Sequence, residues 1–297
     1  MAFSKEKFKS IIEKSPDVAF EAFELNYKNS KIQCYKFGTG KNITLCLPSY
    51  PFSGLYYHWV FRNFSSKDQT FITFDIPGWI GFSDDIFENQ NFYMSDLIAI
   101  GVNLVNIYNP EKFNILGYSF GGMLAMELAS IFDGRVKSLI LVSTITDGYL
   151  AQQSRIYPWV GLMCKLKLYQ VMKLLAYFWV KSVKLMSYQR NKTALEYLPI
   201  YEEMYYHTDK RILLESLYSL FHLNYSDFLR NINNETDMKI VVVNSKDESK
   251  MFYGQSKLMK ELCPRAEYYV LNGDHISFII DANHPEVGEF MNKVTRD

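Results

Sequence analysis

Apolar residues follow two rhythms along this chain. Five short runs are apolar nearly throughout and end at loop signals: residues 43–47 (ITLCL), 70–74 (TFITF), 113–116 (FNIL), 138–142 (SLILV) and 240–243 (IVVV). Runs of this kind suit strands buried on both faces, the habit of a parallel sheet. A sixth run, AEYYVL at 266–271, follows a helical stretch from about 254 to 262. Helical periodicity separates most of the runs, as at 94–108 and 121–132, so the pattern predicts an α/β class: a mostly parallel central sheet flanked by helices. Ahead of them, residues 23–36 alternate around the turn Lys28-Asn29-Ser30 and predict a hairpin, and Phe8, Ile11 and Ile12 mark one face of a short helix over 3–14.

One interval breaks the alternation. Nearly a hundred residues with long helical periodicity separate Val142 from Ile240, too many for a single crossover. The chain therefore divides into a core of residues 1–146 and 229–297 and an inserted helical cap, or lid, at 147–228. Within the insertion, Gln170, Lys173, Lys181 and Lys184 fall in about 80° of arc at helical spacing, leaving Val171, Leu175, Phe178, Trp179 and Met186 on a wide apolar face. Residues 155–192 carry eight basic side chains and no acid. Two placements of the apolar face stay open: packed on the core with the lysines in water, or resting on anionic lipid with Trp159 and Trp179 near the headgroups. Both imply a greasy pocket beneath the cap.

Composition narrows the classes of function. Apolar types make up 48% of the chain and aromatics 16%, which excludes intrinsic disorder. Lys plus Arg and Asp plus Glu number 32 each, so no net basic footprint for nucleic acid exists. Cys34, Cys46, Cys164 and Cys263 have no metal-ligand or paired spacing and read as free thiols. The N-terminal residues lack a secretory pattern and no apolar run approaches membrane-spanning length, so a cytoplasmic setting is expected, with membrane association through the cap as the open addition. No phosphate loop, dinucleotide fingerprint or metal motif is present, and no cofactor is implied.

The strongest local signal is Gly117-Tyr118-Ser119-Phe120-Gly121-Gly122, directly after the run FNIL and directly before a helical pattern. A serine at so tight a strand-to-helix turn is held in a strained conformation with its hydroxyl clear of the sheet, and glycines two before and two after give the chain room to fold back. The helix start supplies amide groups and a positive dipole end, so the Phe120 N–H is placed to stabilise an oxyanion. Ser119 needs a base, and His275, in VLNGDH just past the last strand, lies at the same carboxyl edge. His284 and His58 are weaker candidates, and His207 and His222 belong to the insertion. Asp247, separated from IVVVN by two residues, is the expected orienting acid, with Glu248 the substitute if that loop is shifted by one and Asp274 aimed away. The order Ser119, Asp247, His275 is that of the α/β-hydrolase arrangement.

These features identify a resemblance to capped members of the α/β-hydrolase superfamily. FDIPGWIGFSD (74–84) resembles the family's loop after its fourth strand, and GDHISF with NHPEV resembles the stretch around its catalytic histidine and last helix. The family usually has His-Gly after the third strand, where this chain has Pro48-Ser49. The resemblance puts the second oxyanion N–H at Tyr50. It also implies a pocket, for which Tyr118, Trp79, His58, Trp179 and Phe178 are expected to provide lining. A serine at the elbow argues against the epoxide hydrolases and dehalogenases, which carry Asp there. The expected activity is cleavage of an ester-type carboxylic bond in a small hydrophobic or lipid-like substrate through an acyl-enzyme. C–C bond hydrolysis, thioester hydrolysis and acyl transfer on the same residues, and a non-catalytic binding or peripheral membrane role, stay open.

Overall fold

The computed structural model describes residues 19–49, 52–62, 68–78, 83–87, 93–153, 157–171, 174–175, 178, 208–235, 237–275, 277–280 and 285–295. The expected helix over 3–14 lies outside them.

Eight strands form one sheet: β1 (Phe20–Tyr27), β2 (Ser30–Phe37), β3 (Asn42–Leu47), β4 (Gln69–Phe74), β5 (Phe113–Tyr118), β6 (Val136–Val142), β7 (Lys239–Ser245) and β8 (Glu267–Leu271), in the order β1-β2-β4-β3-β5-β6-β7-β8. The predicted hairpin supplies the antiparallel edge strand β1 and its neighbour β2, turning on Lys28 and Asn29, whose positive φ values (50° and 63°) give a turn twisted with its strands. Every other pairing is parallel. Strands β4 and β5 are buried at every position, as their unbroken apolar runs require when helices cover both faces.

The covering helices are amphipathic where they meet solvent and apolar all round where they do not. Helix α1 (Tyr57–Arg62) follows the loop after β3. Helix α2 (Met94–Tyr108) turns Leu97, Ile100 and Leu104 inward at helical spacing, and α3 (Phe120–Ile131) buries Met123, Leu124, Ala125 and Met126 in succession. The β6–β7 segment contains α4 (Gly148–Ala151), α5 (Tyr157–Lys165), α6 (Lys210–Leu220) and α7 (Ser226–Glu235). Its ends meet at an isolated bridge between Asp147 and Asn224. Helices α8 (Lys250–Leu262), α9 (Ser277–Ile280) and α10 (Pro285–Thr295) complete the order. Among the described residues no helix is long and apolar enough to cross a membrane. All four cysteines are free thiols.

Register sets what gathers at the carboxyl edge of the sheet. Leu47 pairs with Gly117, Tyr118 with Val142, Val142 with Val243, and Ser245 with Leu271. Five neighbouring strands thus end close to one level, and the residues that follow them (48–49, 119, 143–144, 246–248 and 272–275) share one crest. Crevices at that edge are where open parallel sheets bind ligands.

Candidate active site

One residue, Ser119, separates β5 from α3. Its φ of 51° and ψ of −117° lie in a region that non-glycine residues seldom occupy, and strain of this kind persists only where surroundings hold it. The surroundings are visible: the Ser119 N–H donates to Val142 O at 2.8 Å, and Thr144 Oγ1 donates to Ser119 O at 2.5 Å. The glycines answer to close approach. A Cβ on Gly117 would stand 2.5 Å from Gly121 O, and one on Gly121 would stand 2.5 Å from Leu47 O. The Ser119 hydroxyl makes no cap to its own helix and is turned to the side.

What it meets there is His275. The Nε2 of His275 lies 3.0 Å from Ser119 Oγ, and Nδ1 lies 2.5 Å from Glu248 Oε1. The network fixes the roles: Nδ1–H donates to the carboxylate, leaving Nε2 to accept from the serine. The Glu248 side chain is 1% exposed and that of His275 is 28% exposed, so the carboxylate is dry while the ring keeps an open edge. Among the described residues, Glu248 Oε2 has no partner. A buried carboxylate with so few donors directs its charge at the imidazole.

The carboxylate that faces His275 is therefore Glu248's and not the expected Asp247's, a correction by one residue with a clear cause. The ladder between β7 and β8 continues past its last formal pair: Lys246 N–H donates to Leu271 O at 2.8 Å and Asp247 N–H to Gly273 O at 2.9 Å. Lys246 and Asp247 are the exposed central residues of a turn that the Glu248 N–H closes on Ser245 O at 3.3 Å, and the side chain carried inward after that turn is Glu248's. Asp274 is occupied with Ser277 at the start of α9.

Two aromatic rings fix the imidazole plane. Phe252 of α8 stacks on it at 4.0 Å between centroids and 25° between planes, and Tyr118 lies on it at 5.4 Å and 31°. The Tyr118 hydroxyl also donates to the backbone oxygen of His275 at 2.6 Å. Tyr118 is fully buried, so it supports the histidine instead of lining a pocket. Phe252 was not singled out from sequence, because an aromatic on an amphipathic helix reads as ordinary core. Three residues on, Gln255 binds the Thr146 and Asp147 N–H groups and the Asp147 carbonyl, so one face of α8 touches both His275 and the start of the β6–β7 segment.

The remaining candidates separate. Phe120 opens α3, so its N–H sits at the helix N-terminus beside Ser119. The loop after β3 reaches the same place: Pro48 and Ser49 are buried, and Pro48 O and Leu47 O lie against Gly121. That loop is anchored from behind by Asp75, whose buried carboxylate accepts from Tyr35 Oη (2.5 Å), Ser53 Oγ (2.6 Å) and the Gly54 N–H (2.8 Å). Tyr50, Trp79, Trp179, His207 and His284 lie outside the described residues. His58 is neither base nor pocket lining. It is 1% exposed within α1, edge-on to Phe37, with no hydrogen-bond partner at either nitrogen among the described residues. Burial, and then the Arg62 charge, push its pKa down to about 4. Phe178 is 59% exposed. His222 is exposed and lies tilted against Tyr218, 4.4 Å between ring centroids. No cluster of three His, Cys, Asp or Glu side chains suited to a metal exists among the described residues.

A profile for the alpha/beta hydrolase fold matches residues 45–163, the stretch from β3 through Ser119 into α5. The chain has the α/β-hydrolase fold. Solved structures with that fold superpose over nearly the whole chain. A thioesterase domain from the curacin biosynthetic pathway is 17% identical, with 92% of this chain and 99% of the other covered and a TM-score of 0.69. A bromoperoxidase from Bacillus anthracis is 14% identical (93% and 100% covered, TM-score 0.71), and a thermophilic esterase from Thermogutta terrifontis is 15% identical (93% and 100% covered, TM-score 0.68). No curated protein matches the sequence. The α/β-hydrolase fold hosts mostly enzymes, but its chemistry is read from the site and not from the sheet.

Proposed function

We propose that the protein is a serine hydrolase that cleaves ester-type carboxylic bonds in small hydrophobic, acyl or aromatic, substrates. The observation that carries the reading is the hydrogen-bonded row from Ser119 Oγ through His275 to the buried Glu248. In it, Ser119 Oγ attacks the carbonyl carbon while its proton passes to His275 Nε2. The imidazolium is stabilised by Glu248. The tetrahedral oxyanion receives the Phe120 N–H at the start of α3 and, as the family resemblance implies, the Tyr50 N–H. His275 then returns the proton to the leaving alcohol, and water, activated by the same ring, releases the acid from Ser119.

An ester is favoured because the row needs no further group to attack an activated acyl carbon, and because esterases and a thioesterase domain are among the similar folds. The hydrophobic preference rests on the aromatic and aliphatic content of the β6–β7 segment. The test is labelling by a fluorophosphonate probe with mapping of the modified peptide, followed by turnover of acyl esters of graded chain length and their thioester analogues. Labelling at Ser119 that Ser119→Ala abolishes is expected. A folded protein that takes no label and turns over no ester would overturn the proposal in favour of a binding role.

A further inference from the structure

Helix α5 buries Val160 and Met163, and Cys164 Sγ donates to Leu214 O of α6 at 3.4 Å, so one side of α5 is committed to its neighbour. The other side is apolar and in water. Trp159 (65% exposed), Leu162 (46%) and Leu166 (55%) recur at i, i+3 and i+7. The chain then turns, and the helical residues beyond it repeat the arrangement: Tyr169 faces inward and donates to Glu215 Oε1 at 3.1 Å, while Val171, Leu174 and Leu175 are 43%, 57% and 47% exposed on the opposite side. Six large apolar side chains in water within 17 residues (159–175) are far denser than the scattered single exposures of an ordinary surface. Lys165 and Lys167 are exposed around Leu166 and form no ion pair among the described residues.

Charge identifies what covers this face. From residue 155 to 192 the chain carries Arg155, Lys165, Lys167, Lys173, Lys181, Lys184, Arg190 and Lys192 and no Asp or Glu. A second copy of the chain would bring the same basic stretch against itself. An aqueous protein partner would need a long acidic and apolar complement. A bilayer with anionic headgroups supplies both in one surface, with acyl chains for the apolar row and lipid charge for the lysines, and it suits an indole at the boundary. We propose that the outer face of α5 and of the helical residues following it docks on anionic lipid bilayers. Substrate delivered from that surface would be lipid-like, but docking does not depend on the hydrolase reading, since it is measured with Ser119→Ala protein as well as wild type.

The experiment is flotation of the full chain with vesicles of phosphatidylcholine, with and without phosphatidylglycerol. Wild type and Ser119→Ala are expected to float with the anionic vesicles, to be released by high salt, and to stay behind with the neutral ones. Lys165→Gln with Lys167→Gln should weaken binding about tenfold or more, each charge near an anionic surface being a sizeable share of the attraction. Trp159→Ser with Leu162→Ser and Leu166→Ser should abolish it, and Ile107→Ser, removing an equally exposed apolar residue on α2, should leave it unchanged. Circular dichroism shows that each variant is folded. No flotation of folded wild type with anionic vesicles at low salt would overturn the proposal. So would equal flotation of the triple serine variant, or lipid-independent dimers that the same variant dissolves.

Discussion

Phe252 lies flat against His275, with 4.0 Å between ring centroids and 25° between planes. A face-on phenyl ring does more than hold the imidazole in place. In the proposed mechanism the imidazole becomes a cation as Ser119 attacks, and the π-face of an adjacent ring attracts a cation more strongly than a neutral ring. That difference belongs to the transition state. Phe252→Leu, which keeps the apolar bulk, is expected to lower kcat by roughly 3- to 10-fold with little change in KM, from about 0.5–1.5 kcal/mol of stacking. Steady-state kinetics on a soluble ester checks it, and a change confined to KM would mean that the ring contacts substrate instead.

Neighbouring acids should behave very differently. Glu248→Gln leaves the shape but removes the charge that faces Nδ1, and it lets the amide impose the wrong tautomer; a loss of about 10²- to 10⁴-fold in kcat/KM is expected. Asp247→Asn alters an exposed side chain whose backbone alone is engaged, and should change kcat/KM less than about twofold. The rate of fluorophosphonate labelling gives the same comparison without a substrate.

What the sequence revealed follows the range over which each feature is determined. Ser119 was legible because the demand for a strained turn is met within the six residues from Gly117 to Gly122. His275 was legible because it comes directly after the last strand. The acid was missed by one position because its identity depends on how far β7 and β8 stay paired, a matter between Lys246 and Leu271 and between Asp247 and Gly273 that no local pattern carries. Periodicity showed that Val171 and Leu175 share a face, but not what the face meets, and in the structure they are exposed. His58 looked like a candidate base from its place after an aromatic loop, whereas α1 carries it into the core.

The buried His58 imparts a pH dependence to stability. Its folded pKa, depressed to about 4 from 6.5, means that the native state holds it neutral where the unfolded chain would take up a proton. The stabilisation is complete above about pH 6.5 and is lost as pH falls toward 4, reaching about 3 kcal/mol when integrated over that window. His58→Phe, beside Phe37, removes the titration. Urea unfolding of both proteins between pH 7.5 and 4 should show wild type losing stability relative to the variant as pH drops. A difference that stays constant across the window would refute the assignment.

Two glycines on helices should respond to alanine with opposite signs. Gly254 lies within α8, and a Cβ there meets nothing within 4 Å, so the substitution gains helix propensity without a clash. Gly254→Ala should stabilise by about 0.5–1 kcal/mol and leave ester hydrolysis unaltered. Gly122 lies in the first turn of α3, and a Cβ there would stand 1.7 Å from Thr144 Oγ1, the group that donates to Ser119 O. Gly122→Ala must displace Thr144 from a packed crest and should destabilise by about 1–3 kcal/mol. Its effect on activity should exceed what the lost stability explains, because the displaced hydroxyl helps to hold the strained backbone of Ser119. Urea midpoints measured beside labelling rates separate the two contributions: a Gly122→Ala protein that is less stable yet labels at the wild-type rate would show that Thr144 steadies the fold without positioning the serine.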